Sequence, residues 1–155
     1  MMITLNAAVE SDGLSDRYTW HTASESVLRY ECFLGDLEFT VGPADFSTRW
    51  GWVPVWDAAL GLAHLLGALK PGESGVFEFT ESEAFIRLGR EGGRVRISAS
   101  YSDDLAIVDL DECLGAARSF VMSLSQTLIA SHPALGENPS FVAAVQRVSS
   151  ESSAR

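Results

Sequence analysis

Residues 3–9 alternate, with Ile3, Leu5, Ala7 and Val9 on one side and Thr4, Asn6 and Ala8 on the other. A period of two predicts a half-buried strand. Residues 10–26 lack a clean period and are rich in Ser, Thr, Asp and Glu. They predict a long connection with a short strand through Tyr18–His21. Val27–Leu34 reads as a strand, Gly35-Asp36 as a turn and Leu37–Val41 as the returning strand of a hairpin. In that second strand Leu37, Phe39 and Val41 face inward, while Asp36, Glu38 and Thr40 make a wet face. Gly42-Pro43 ends it.

The stretch Asp45–Leu69 holds Trp50, Trp52 and Trp56 and the longest apolar run. It predicts an aromatic turn feeding a buried helix over 54–69. Pro54 suits a helix start, because its missing N–H costs nothing there. Lys70-Pro71-Gly72 stops the helix. Val76–Thr80, Ala84–Arg90, Arg94–Tyr101 and Leu105–Asp109 are short strand patterns at nearly even spacing, which predicts an antiparallel meander. Ile86, Leu88, Val95, Ile97 and Ala99 share its core face, and Arg87, Arg94, Arg96 and Ser98 point outward. Asp109 is the predicted N-cap of a second helix, with Glu112 three residues on. Leu110, Cys113, Leu114, Ala117, Phe120, Val121, Leu124 and Leu128 repeat at helical spacing, and His132-Pro133 ends the run. Asn138-Pro139 opens a short third helix to about Val148.

Strand runs and separate helices predict an α+β fold. The expected architecture is an antiparallel sheet (N-terminal strands plus a four-strand meander), with two main helices and a short C-terminal helix packed on one face. Residues 1–148 are expected to form one domain and 149–155 a flexible tail. The strands do not alternate with helices as a doubly wound nucleotide fold requires.

Charge sharpens this picture. Of 155 residues, 21 are Asp or Glu and 11 are Lys or Arg, a net charge of −10. That field repels phosphate backbones and disfavours nucleic acid, and it favours a basic protein partner. Lys70 is the one lysine, and the Arg bias with abundant Ala and Gly points to a GC-rich bacterial genome. The start of the chain has no basic segment followed by an apolar core, so a cytoplasmic location is expected. Asp57 and His64 interrupt the apolar helix, which argues against a membrane span. Cys32 and Cys113 lack metal-ligand spacing and read as buried thiols. No cofactor or metal is expected.

Candidate chemistry is sparse. Asp57 and His64 lie seven apart on one helix stripe, as either an acid–imidazole pair or a polar edge, and no activated nucleophile accompanies them. The glycines of Gly89–Gly93 join two strands, so they make a hairpin turn rather than a phosphate loop. Arg87, Arg90, Arg94 and Arg96 form a basic patch that either binds an anion or pairs with carboxylates. Glu81 and Glu83 in one turn and Asp103 and Asp104 in another fall at one end of the meander. They form a solvated rim or a docking patch for a basic protein. Trp50 and Trp52 flank Gly51 and either close the end of the core or line a pocket. Asp45 and Arg49 are spaced to brace that turn as an ion pair.

The strings DFSTRWGWVPVWD, FEFTESEAFIRLGREGGRVRISASY and HPALGENPSF resemble a group of small actinobacterial proteins of uncharacterised function. In size, acidity and pattern the chain is also similar to immunity proteins of bacterial polymorphic toxin systems. The net charge of −10, the clustered turn carboxylates and the lack of a catalytic set then favour a small protein-binding module of that kind that docks a basic partner, with Glu81, Glu83, Asp103 and Asp104 as its contact rim. The alternative is a small-ligand binder or enzyme with a pocket between the sheet and the 54–69 helix, built from Trp50, Trp52, Asp57 and His64. A homo-oligomer joined through the wet sheet face or an edge strand is the third reading.

Overall fold

The computed structural model describes residues 2–12, 19–80 and 82–153. It is α+β, with two antiparallel four-stranded sheets rather than one. In the first, β1 (Ile3–Ser11) pairs with β2 (Leu34–Val41), Ile3 opposite Val41 and Val9 opposite Gly35. Two short strands, β3 (Ala44–Asp45) and β4 (Val53–Pro54), pair with opposite ends of β2. Leu37, Phe39 and Val41 are buried and Glu38 is exposed, as the alternation requires.

The expected Val27–Leu34 strand is instead a short helix, α1 (Glu25–Tyr30). Ser24 caps it, its Oγ accepting from the Val27 amide at 3.3 Å. Glu25 and Arg29 stand one turn apart at 3.8 Å. Within this helix Leu28 alone is fully buried, so the segment offers the core a single point rather than an alternating face. Phe33, with φ 56, reverses the chain into β2. Gly35 therefore belongs to a strand, not to a turn. A Cβ there would lie 1.9 Å from the Ala8 carbonyl oxygen, so glycine is what lets β1 and β2 approach. Of the expected strand through Tyr18–His21, Tyr18 lies outside the described residues, and Thr19–Thr22 is a turn closed by the Thr22 amide on the Thr19 carbonyl.

The second sheet is the expected meander. Its order is β5 (Ser74–Glu78), β6 (Phe85–Glu91), β7 (Arg94–Ala99) and β8 (Ser102–Asp109). Leu88 pairs with Ile97 and Ile86 with Ala99, all buried, while Arg87, Arg94 and Arg96 are exposed. The two sheets meet where β3 runs beside β8. Three polar contacts join them there. The Asp45 amide donates to Asp104 Oδ2 at 2.8 Å, Ser102 Oγ donates to the Asp45 carbonyl at 2.9 Å, and Tyr101 donates to the Phe46 carbonyl at 2.6 Å.

Helix α2 (Val55–Ala68) lies against β2 and β5, and α3 (Leu110–Ser131) lies against α2, β1, β7 and β8. Every residue from Val55 to Leu60 is buried, Asp57 among them, whereas His64 and Ala68 further along the helix are exposed. The Phe77 ring lies on Gly61, where a Cβ would come within 2.5 Å of it. Asp109 caps α3 as predicted, accepting from the Glu112 amide at 2.9 Å. After a turn of 3-10 helix (Pro133–Glu137), α4 (Pro139–Ser153) continues beyond Val148 into the stretch expected to be a tail. Trp56 stacks on Phe141 at 4.7 Å, fixing α4 against α2.

Asn138 is fully buried and serves two elements at once. Its Oδ1 accepts from the Ser140 and Phe141 amides at 2.9 and 3.1 Å, capping α4. Its Nδ2 donates to the Trp20 and Ala23 carbonyls at 2.7 and 2.9 Å, tying the segment before α1 to the C-terminal helix.

Candidate binding surface

The β5–β6 and β7–β8 turns lie at the same end of the second sheet, because Glu78 pairs with Phe85, Ile86 with Ala99 and Ala99 with Ser102. Glu83 and Asp103 are both exposed there. Asp104 sits beside them, but its Oδ2 accepts from the Asp45 amide in the junction between sheets. Glu81 lies outside the described residues. Asp45 is itself engaged. Hydrogen bonds from Ser47 hold its carboxyl below the usual carboxylate range, and Arg49 adds an ion pair at 3.2 Å.

At that end the two tryptophans form a surface of their own. Gly51, at φ 79, makes the turn between them, and its amide donates to Asp36 Oδ1 at 2.7 Å. The Trp50 and Trp52 rings stack at 5.2 Å, nearly parallel. Trp50 stands edge-on to Tyr101 at 5.1 Å and to Phe79 at 5.6 Å. Tyr101 ends the β7–β8 turn, and Asp103 and Asp104, expected in that turn, instead open strand β8, while Phe79 precedes the β5–β6 connection that carries Glu83. Trp50 packs on the buried Phe79 and so covers that end of the core, yet Trp50 is 37% and Trp52 41% exposed. Beyond Trp52 a pocket of about 260 Å³ is lined by Tyr30, Leu34, Trp52, Pro54 and Thr80. Tyr30 is 45% exposed and lies under the Arg29 guanidinium at 5.8 Å.

Sequence patterning did not single out Tyr30, Phe79 or Tyr101. Tyr30 was hidden by the strand reading of 27–34. Phe79 and Tyr101 fell in the meander, where an aromatic position reads as core.

The other proposed pocket residues are not brought together with the tryptophans. Asp57 is buried, with Arg29 Nε and Nη2 both 2.7 Å from its Oδ1. Burial pushes this carboxyl up and Arg29 pulls it back, with a net upward shift. His64 is exposed, in a groove of about 210 Å³ shared with Arg29, Leu60, Ala144, Arg147, Val148 and Glu151. Asp57 thus belongs to the packing of α1 on α2, and His64 faces α4. The arginine hairpin is largely engaged as well. Arg90 donates to the Leu69 and Gly92 carbonyls at 2.8 and 2.9 Å, Arg96 meets Glu91 at 3.1 Å, and Arg87 lies over Phe85. Cys32 and Cys113 are buried free thiols, pushed up by burial to about 11 and about 12. Among the described residues no group of His, Cys, Asp and Glu is placed to hold a metal ion, and no helix is long and apolar enough to cross a membrane.

No protein family, curated protein or solved structure matches this chain.

Proposed function

We propose that this protein is a protein-binding module that docks a basic segment of a partner on the Tyr30–Trp52–Trp50 surface, with Glu83 and Asp103 as its acidic rim. The observation that carries this reading is the exposed, stacked Trp50–Trp52 pair at the acidic end of the second sheet. Aromatic anchors with a water-excluding border are where interfaces concentrate their energy, and each contributes about 2 kcal/mol or more. A partner arginine or lysine gains both from the ring faces and from the carboxylates. The net charge of −10 steers such a partner from a distance. Neutralising a basic toxin in the manner of an immunity or antitoxin protein is the biological form this reading takes, within the cytoplasm of a bacterium.

The experiment is capture from host lysate by four forms of the tagged protein: wild type, Trp52→Ala, the double variant Glu83→Lys/Asp103→Lys, and Lys70→Ala as a control outside the surface. One stoichiometric partner should be held by wild type and the control. Trp52→Ala should lose it, and the double variant should hold it weakly with a shallower salt dependence. Retention of the same partner by all four forms would place the interface elsewhere.

A further inference from the structure

The second sheet ends on an open strand. Its β8 edge meets β3 through the contacts of Asp45 with Asp104 and Ser102, whereas its β5 edge pairs with no further strand among the described residues. The Phe79 amide donates to the Ala84 carbonyl at 3.1 Å and the Arg90 amide to the Glu73 carbonyl at 2.8 Å, on either side of a β5–β6 register without a shift. The alternation of an antiparallel ladder then turns the backbone groups of Gly75 and Phe77 toward β6. Those of Ser74, Val76 and Glu78 turn toward the open edge.

Edge strands are ordinarily blunted by a bulge, a proline, a charge or a covering element. Strand β1 has a bulge between Val9 and Ser11, and Asn6 Oδ1 takes the Ala7 amide at 2.9 Å. Strand β5 has neither device. It is regular from Ser74 to Glu78, and Val76 at its centre is 38% exposed. Its one charge is Glu78, which is exposed and has no ion-pair partner among the described residues. Phe79 and Thr80 continue the strand into the aromatic surface: Trp50 stands on Phe79, and Thr80 lines the pocket beside Trp52 and Tyr30.

We propose that the basic segment of the partner binds as an added strand, antiparallel to β5 along its open edge. This rests on the docking reading above and gives the docked segment its conformation. Its basic side chains lie on the exposed face with Glu78. Its apolar side chains alternate with them, lie on the face that carries Phe77 and Phe79, and lead to the Trp52–Tyr30 pocket. In such strand addition the main chain supplies affinity and alternate side chains supply specificity. A second copy of the chain is the poorer occupant, because two molecules of net charge −10 repel one another.

The probe is a capped peptide of alternating arginine and valine, titrated into the full chain and followed by amide NMR and hydrogen exchange. It should shift the Trp50 and Trp52 signals saturably and slow exchange of the Val76 and Glu78 amides by about tenfold or more. Residues directly opposite Val76 and Glu78 share their face and turn their own N–H groups to β5. N-methylation of the arginines should therefore weaken binding by about tenfold or more, and N-methylation of the valines should not. Val76→Pro removes a donor that no ladder bond uses, so it keeps the fold. It too should weaken binding by about tenfold or more. Strand addition is overturned if the arginine-methylated peptide, or Val76→Pro, binds as the parent pair does. Saturable shifts at Trp50 and Trp52 would in that case leave the docking reading standing. No saturable shift at either tryptophan overturns both. Protection of the Val76 amide in the protein alone, rising with its concentration, would give the edge to a second copy and overturn the proposal as well.

Discussion

Asn138→Ala is the substitution whose cost the structure fixes best. The side chain makes four hydrogen bonds in a site with no solvent exposure. Removing the Oδ1 cap costs about 1 kcal/mol. Leaving the Trp20 and Ala23 carbonyls without their donor adds about 1 kcal/mol each. The expected loss is therefore about 3 kcal/mol, or about 6–12 °C in Tm for a chain of this size. Urea unfolding followed by tryptophan fluorescence reads it directly. Two further variants separate the halves. Asn138→Ser keeps a cap and loses the tie, so it should cost about 2 kcal/mol. Asn138→Asp keeps the cap but sets a carboxylate against two carbonyls. Its folded-state pKa is then raised, so it should regain stability as the pH falls through that value. The reasoning is refuted if Asn138→Ala lies within about 0.5 kcal/mol of wild type, the range of an ordinary surface change. It is equally refuted if Asn138→Ser is as damaging as Asn138→Ala.

Three other outcomes follow from the same contacts. Asp57 is held above its ordinary value of 3.8 when folded, so the folded state binds a proton more readily than the unfolded chain. Wild type should gain stability relative to Asp57→Asn as the pH falls through that raised pKa towards 3.8, and the two should differ by less than about 1 kcal/mol at neutral pH. Parallel urea midpoints across the acid range would sink this. Tyr101→Phe removes the hydroxyl that spans the sheets at 2.6 Å and should cost about 1 kcal/mol, so an unchanged unfolding midpoint would mean the junction is held by packing alone. Finally, burial and raised pKa values make Cys32 and Cys113 poor nucleophiles. A thiol reagent at pH 8 should leave the folded protein unmodified and label both residues in urea, and rapid labelling of the native protein would contradict their placement.

Local pattern decided the elements with many repeats of one signal. The meander was legible because residues alternate through four strands and charged turns separate them. Helix α3 was legible because an apolar stripe of many turns follows a capping aspartate. The 54–69 helix was legible because a long apolar run is bounded by Pro54 and Pro71-Gly72. In each case burial and hydrogen bonding both act within the element, so the chain itself carries the instruction. Segment 25–30 carried too little of it. A single buried leucine cannot set a period, and the Ser24 cap and the Glu25–Arg29 spacing were the only helical marks.

What only the tertiary structure decided is which residues meet. Gly35 looks like a turn residue until the Ala8 carbonyl is seen against it. Asp104 looks like a surface charge until it accepts from Asp45. Asp57 pairs with Arg29 rather than His64 because α1 packs where the sequence suggested a strand. The same holds for the sites. Sequence brought Trp50 and Trp52 to notice, but their exposure and their union with Tyr101 and Phe79 depend on where two sheets join. Periodicity is a property of neighbours along the chain. A site is a property of neighbours in space, and in this protein residues far apart in sequence make every one of them.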